Sequence, residues 1–88
     1  MPPHFEDLWL LAEGSQKLLN KTPQLLIDEL QIKIGLYKAI SIKSDIPIDD
    51  LLNAKTRIMG EILLSLSGLS LVDDIDVYQA LSVAIASK

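Results

Sequence analysis

Few side chains in this sequence are able to do chemistry: one histidine, His4, no cysteine, and twelve carboxylates set against eight lysines and arginines. Nucleophilic catalysis is not expected, because thiols are absent and the one imidazole sits in a proline-flanked N-terminus that cannot fix it beside a base. Zinc favours His and Cys ligands, and one histidine does not make a site. A phosphate-cradling loop needs a glycine-rich turn between a strand and a helix, whereas Gly60 and Gly68 fall in or at the end of a helical pattern. The carboxylates remain. Their natural chemistry is a magnesium ion carrying a nucleotide phosphate, since Mg²⁺ takes hard oxygen ligands and keeps several waters.

Position singles out two of them. At helical spacing Glu29 has Leu25, Leu26, Ile32 and Lys33 as neighbours, so it lies beside or within an apolar face, an uncommon place for a carboxylate. Glu61 is surrounded in the same way by Arg57, Ile58, Leu64 and Ser65. Two readings are open for both residues. They are metal ligands that approach each other across a helix pair, or they are the acidic halves of the i,i+4 pairs Glu29–Lys33 and Arg57–Glu61, which need no ligand. Asp73, Asp74 and Asp76 form the densest acidic cluster, which a helix cap and a solvated turn explain. Trp9, Tyr37 and Tyr78 have the surface to stack on a base, but single aromatics at helical spacing serve more often as core or interface.

The elements that must position these residues are helices. Phe5, Leu8, Trp9, Ala12 and Leu19 repeat at offsets of three, four and seven and predict a helix over about 4–19; Leu10, Leu11 and Leu18 lie off that stripe and ask for a second neighbour. Thr22-Pro23 marks the next start, a capping hydroxyl followed by a residue whose fixed φ suits the first turn. That helix runs over 23–43, with Leu26, Leu30, Lys33 or Ile34, Tyr37 and Ile40 on one face and Leu25, Ile32 and Leu36 on another; Gly35 within it is a candidate for close helix approach. Ser44-Asp45-Ile46-Pro47 connects to a third helix over 48–69, whose Asp49 and Asp50 complement the helix dipole. Ile48, Leu52, Lys55, Met59, Ile62, Leu66 and Leu69 alternate at four and three, a heptad seam. Gly60, Ser65, Ser67 and Gly68 keep other parts of this helix thin. Residues 68–75 read as a turn, and Asp76 with Gln79 has capping-box spacing for a last helix over 77–86, with Val77, Leu81, Ala84 and Ile85 facing inward.

The fold class is therefore all-α: a single helical domain over 1–88, four helices with a long antiparallel central hairpin, packing into a dimeric or higher bundle. Size supports the last step. A chain of 88 residues that is 49% hydrophobic buries only about 60% of its unfolded surface and has no disulfide to help. A homo-oligomer follows, with Met59, Ile62, Leu66 and Leu69 as the expected interface. Net charge −4, with the basic residues scattered, argues against binding a nucleic-acid backbone. The uncharged stretch 62–72 is too short to span a membrane, residues 1–7 lack a basic leader region, and the absence of cysteine suits a reducing compartment, so a soluble, cytoplasmic protein is expected.

Gly60-Glu61-Ile62-Leu63-Leu64-Ser65-Leu66, then Leu69, Ile75-Asp76-Val77 and Ala80-Leu81, resemble the second half of the MazG-like all-α NTP pyrophosphohydrolases; Ile27-Asp28-Glu29-Leu30 resembles the preceding helix more loosely. The resemblance implies hydrolysis of a nucleoside triphosphate to monophosphate and pyrophosphate by water, with Mg²⁺ held by an ExxE motif on one helix and an ExxD motif on the next, in a dimer or tetramer. Carried over by residue, Glu29 takes the first Glu of ExxE and Ile32 the second, while Glu61 takes the Asp of ExxD and Ile58 the Glu before it. Two of the four ligand positions are thus apolar, and Lys33 and Arg57 add positive charge. The expected function is a non-catalytic, oligomeric interaction or regulatory module without a cofactor, with a protein partner besides copies of itself. The alternative is a divergent Mg²⁺-dependent nucleoside triphosphate pyrophosphohydrolase in which Glu29 and Glu61 hold the metal and Asp28 assists.

Overall fold

Local chemistry starts and stops each helix. The computed structural model describes residues 4–87, in which α1 spans Phe5–Leu19, α2 Pro23–Ser41, α3 Ile48–Val72 and α4 Val77–Ala86. No strand occurs among the described residues. Thr22 caps α2, its hydroxyl accepting from the Leu25 amide at 3.2 Å, with Pro23 opening the first turn. Asp76 caps α4, one carboxylate oxygen accepting from the Tyr78 and Gln79 amides at 2.9 and 3.3 Å. At the end of α1, Asn20 adopts the left-handed conformation that helix termination favours.

The end of α3 departs from the sequence expectation. Gly68 does not open a turn: the helix continues to Val72, and no glycine among the described residues takes a positive φ. Termination falls to Asp74, left-handed at φ 54, with its amide donating to the Leu71 carbonyl and the Ile75 amide donating to that of Ser70. This is the Schellman arrangement, with aspartate where glycine is usual. The Ser70 hydroxyl secures it by donating to the Ile75 carbonyl at 2.6 Å.

Packing centres on α3, which takes α2 along one side and α1 along another; α4 makes no comparable contact. Leu26 of α2 lies against Gly68, Lys33 reaches Ser65, and the Lys55 ammonium stands 5.6 Å from the Tyr37 ring centre, so partner numbers fall along α3 as they rise along α2. The face of α2 that the periodicity selects, Leu26, Leu30, Lys33, Tyr37 and Ile40, is the one turned inward. The seam of α3 is offset from the expected one. Leu51, Ile58, Ile62, Ser65 and Gly68 carry the inner face, whereas Ile48, Leu52, Met59 and Leu66 are exposed.

The buried apolar side chains are Trp9, Leu26 and Ile58, one from each of the packed helices. Close approach comes from small residues on α3: Ser65, Ser67 and Gly68 are buried, and a Cβ on Gly68 would stand 2.9 Å from Leu26 Cδ2 and 3.1 Å from Gln16 Oε1. Gly35 does not serve this purpose, since a Cβ there meets nothing within 4 Å. The radius of gyration is 14.8 Å, where a compact chain of this length gives roughly 12 Å. Leu81 and Ile85, expected to face inward, are 60% and 63% exposed, and Ala84 is exposed as well, because α4 does not pack extensively on the other three helices. No described helix is long and apolar enough to cross a membrane.

Candidate functional site

Glu29 and Glu61 stand on the two helices that pack most extensively, and a lysine contacts each, Lys21 at the carboxylate of the first and Lys33 at the backbone carbonyl of the second. Glu29 is half-buried, and its carboxylate pairs with Lys21, one oxygen at 2.9 Å and the other accepting a hydrogen bond at 3.0 Å. Lys33 does not form the expected i,i+4 pair with Glu29. Its ammonium crosses to α3, donating to the Ser65 hydroxyl at 2.7 Å and to the Glu61 backbone carbonyl at 3.2 Å. Glu61 itself is exposed, and so is Arg57; no ion pair joins them among the described residues.

Chemically, the two carboxylates are balanced by two ammonium groups. Mg²⁺ needs an octahedral set of hard oxygens and gains most where negative charge is in excess. Here one carboxylate is already neutralised by Lys21, and a lysine lies on the carbonyl of the second glutamate. The other two positions where the MazG-like pattern carries ligands offer hydrocarbon: Ile58 is buried in the core and Ile32 is exposed. The residues present do not fit the metal. Among the described residues, no group of three or more His, Asp or Glu stands in a metal-holding arrangement.

The remaining candidates separate by element. Met59 and Leu66 are exposed on α3, while Ile62 and Leu69 are half-buried against its neighbours. Asp76 is engaged as a cap, Asp74 occupies the left-handed terminus, and His4 is exposed just before α1. Trp9 is 5% exposed, with the Phe5 ring centre 5.8 Å from its own. Tyr78 lies in the first turn of α4, and its phenol is held above its ordinary pKa by partial removal from water and then by the negative charges of Glu6, Glu13, Asp76 and Asp7.

Sequence reasoning missed Lys21 and the reach of Lys33. Lys21 precedes the Thr22 cap, outside the helix, so no helical spacing connects it with Glu29, and the pair forms across eight residues. A lysine falling on the inner stripe of α2 was the available sign that Lys33 has a partner on another helix. Two apolar grooves also open on α3. One of 300 Å³ lies against α1, between Leu8, Trp9 and Leu64; the other, of 620 Å³, lies against α2, between Tyr37, Leu52 and Met59. Gly60 and Leu63 belong to both. Comparison with protein-family models, with curated proteins and with solved structures finds no match to this chain.

Proposed function

We propose that this chain is a non-catalytic helical module of MazG-like helix order, which acts by associating with copies of itself and with a protein partner, as an interaction or regulatory component of the cytoplasm. One observation carries the reading. The chain exposes 6869 Å², where a compact monomer of 9.7 kDa exposes roughly 5,100 Å². Leucines and isoleucines of all four helices stand exposed in this surface. Exposed apolar side chains in this number favour association. Met59, Ile62, Leu66 and Leu69 on α3 are the proposed interface, and the falling partner numbers along α2 and α3 support an antiparallel central pair.

The non-catalytic reading is supported by the charge balance described above, in which Lys21 pairs with Glu29 and Lys33 donates to the Glu61 carbonyl. The test is pyrophosphate release from a panel of canonical and modified nucleoside triphosphates with Mg²⁺ or Mn²⁺, beside Glu29→Gln and Glu61→Gln. No release by the wild type is expected, and millimolar Mg²⁺ leaves its melting temperature unchanged. Turnover abolished by both substitutions would establish the pyrophosphohydrolase instead.

A further inference from the structure

The fourth helix and the grooves on α3 are two unfilled halves of one contact. Helix α4, Val-Tyr-Gln-Ala-Leu-Ser-Val-Ala-Ile-Ala, contains no charged residue and buries none of its side chains. Tyr78, Leu81 and Ile85 recur at offsets of three and four, so they form a single stripe down one side. The grooves on either side of Gly60 are lined almost wholly by hydrocarbon, with Lys55 the one charged residue at their edge. Above Gly60 the backbone of α3 is bare: a Cβ there would meet nothing within 4 Å, in contrast to the crowded Gly68 eight residues on. A glycine flanked by apolar walls allows a second helix to approach more closely than any other residue would.

We infer that α4 of one copy docks across Gly60 of a second copy, and that the second copy's α4 returns the contact, giving a reciprocal dimer. This rests on the oligomeric reading above and extends its α3 interface, through Met59, to the grooves beside Gly60. The extent of exposed surface and the symmetry of the two half-contacts point to a second copy as the occupant. The roughly 1,700 Å² by which each chain exceeds a compact monomer amounts to about 3,400 Å² for a pair, within the roughly 2,000–5,000 Å² that obligate homodimers bury. A two-fold interface needs both halves of the contact on the same chain, and this chain supplies both. Neither α4 nor the lining of the two grooves contains a carboxylate, although each copy carries a net charge of −4.

The test is sedimentation of the full chain at tens of micromolar, with far-ultraviolet dichroism as the check on folding. Gly60→Leu fills the groove from a position with open space above it and raises helix propensity, so the monomer fold tolerates it. Leu81→Glu charges the stripe of α4, and Leu18→Glu on α1, at a residue 88% exposed and outside both grooves, is the control. A wild-type dimer is expected, with Gly60→Leu and Leu81→Glu each weakening it about 100-fold or more and Leu18→Glu leaving it within about threefold. A dimer that both groove and stripe variants leave intact overturns the α4 docking while the oligomeric reading stands. A wild-type monomer overturns both.

Discussion

Replacing Gly68 by alanine sets two effects of known sign against each other. Gly68 lies inside α3 with right-handed backbone, so alanine there gains about 1 kcal/mol of helix propensity. Against this, the new methyl falls 2.9 Å from Leu26 Cδ2 and 3.1 Å from Gln16 Oε1. Gln16 is half-exposed and swings aside. Leu26 is 1% exposed and cannot move without repacking, an overpacking strain of about 1–3 kcal/mol. The net expectation is a loss of about 1 kcal/mol, or roughly 4–8 °C in Tm for a domain of this size. In a Leu26→Ala background the blocking methyls are gone, and the same substitution stabilises by about 1 kcal/mol. Because Leu26→Ala alone costs about 2–5 kcal/mol, the four proteins are compared by urea denaturation in a stabilising osmolyte, followed by dichroism. The cycle then yields a coupling of about 1–3 kcal/mol between positions 26 and 68. Gly60→Ala, where the methyl meets open space, is the internal standard and shows the propensity gain undiluted at concentrations too low for association. Equal effects of Gly68→Ala in both backgrounds would refute the crowding that places α2 against α3.

Three other outcomes follow from the same geometry. Lys33→Met leaves the buried Ser65 hydroxyl without its lysine and lowers stability by about 1–2 kcal/mol, and adding Ser65→Ala restores most of the loss, as denaturation of the single and double variants will show. Asp76→Ala removes the cap of a helix that leans on little else, so amide exchange within α4 accelerates about fivefold while the cooperative melting of α1 to α3 stays in place. The phenol of Tyr78 titrates above its ordinary value, so the folded state prefers the protonated form. That preference is fully present below the unfolded phenol's pKa and is lost as pH rises through the raised value. Phenolate absorbance therefore contains an upper component that Tyr78→Phe deletes, and a titration lacking it counts against the desolvated, acid-flanked position.

The parts of this fold legible in the sequence are those that local chemistry decides. Thr22-Pro23 and Asp76 start helices because a hydroxyl, a carboxylate and a fixed φ act within one turn of their own position. The inner face of α2 is legible because a single side of it is covered. On α3 the same period was misread by one position: leucines and isoleucines stand on several faces, and a serine and a glycine, Ser65 and Gly68, occupy the innermost places instead of the largest apolar residues. Gly68 has the residue type of a terminator, yet it packs against Leu26 within the helix, and the left-handed Asp74 ends α3 six residues later. The candidate site fared as its distances in sequence suggest. Glu29 was located, but its partner came from eight residues upstream, across the cap, and Lys33 found Ser65 thirty-two residues away, beyond the reach of helical spacing.

The arrangement of α1 and α2 around α3 also sets an order of events during synthesis. Neither of the first two helices has its main partner until α3 exists, so a nascent chain ending at Pro47 holds helices without a surface to bury them on. Isolated helices of this length are marginal in water. Folding must therefore wait until residues 48–72 have left the ribosome, and then proceeds by docking onto one late helix from both sides. The sole tryptophan, Trp9, reports that moment, because its ring becomes enclosed only when α1 meets α3. Its fluorescence should change with the arrival of a segment translated some forty residues after it.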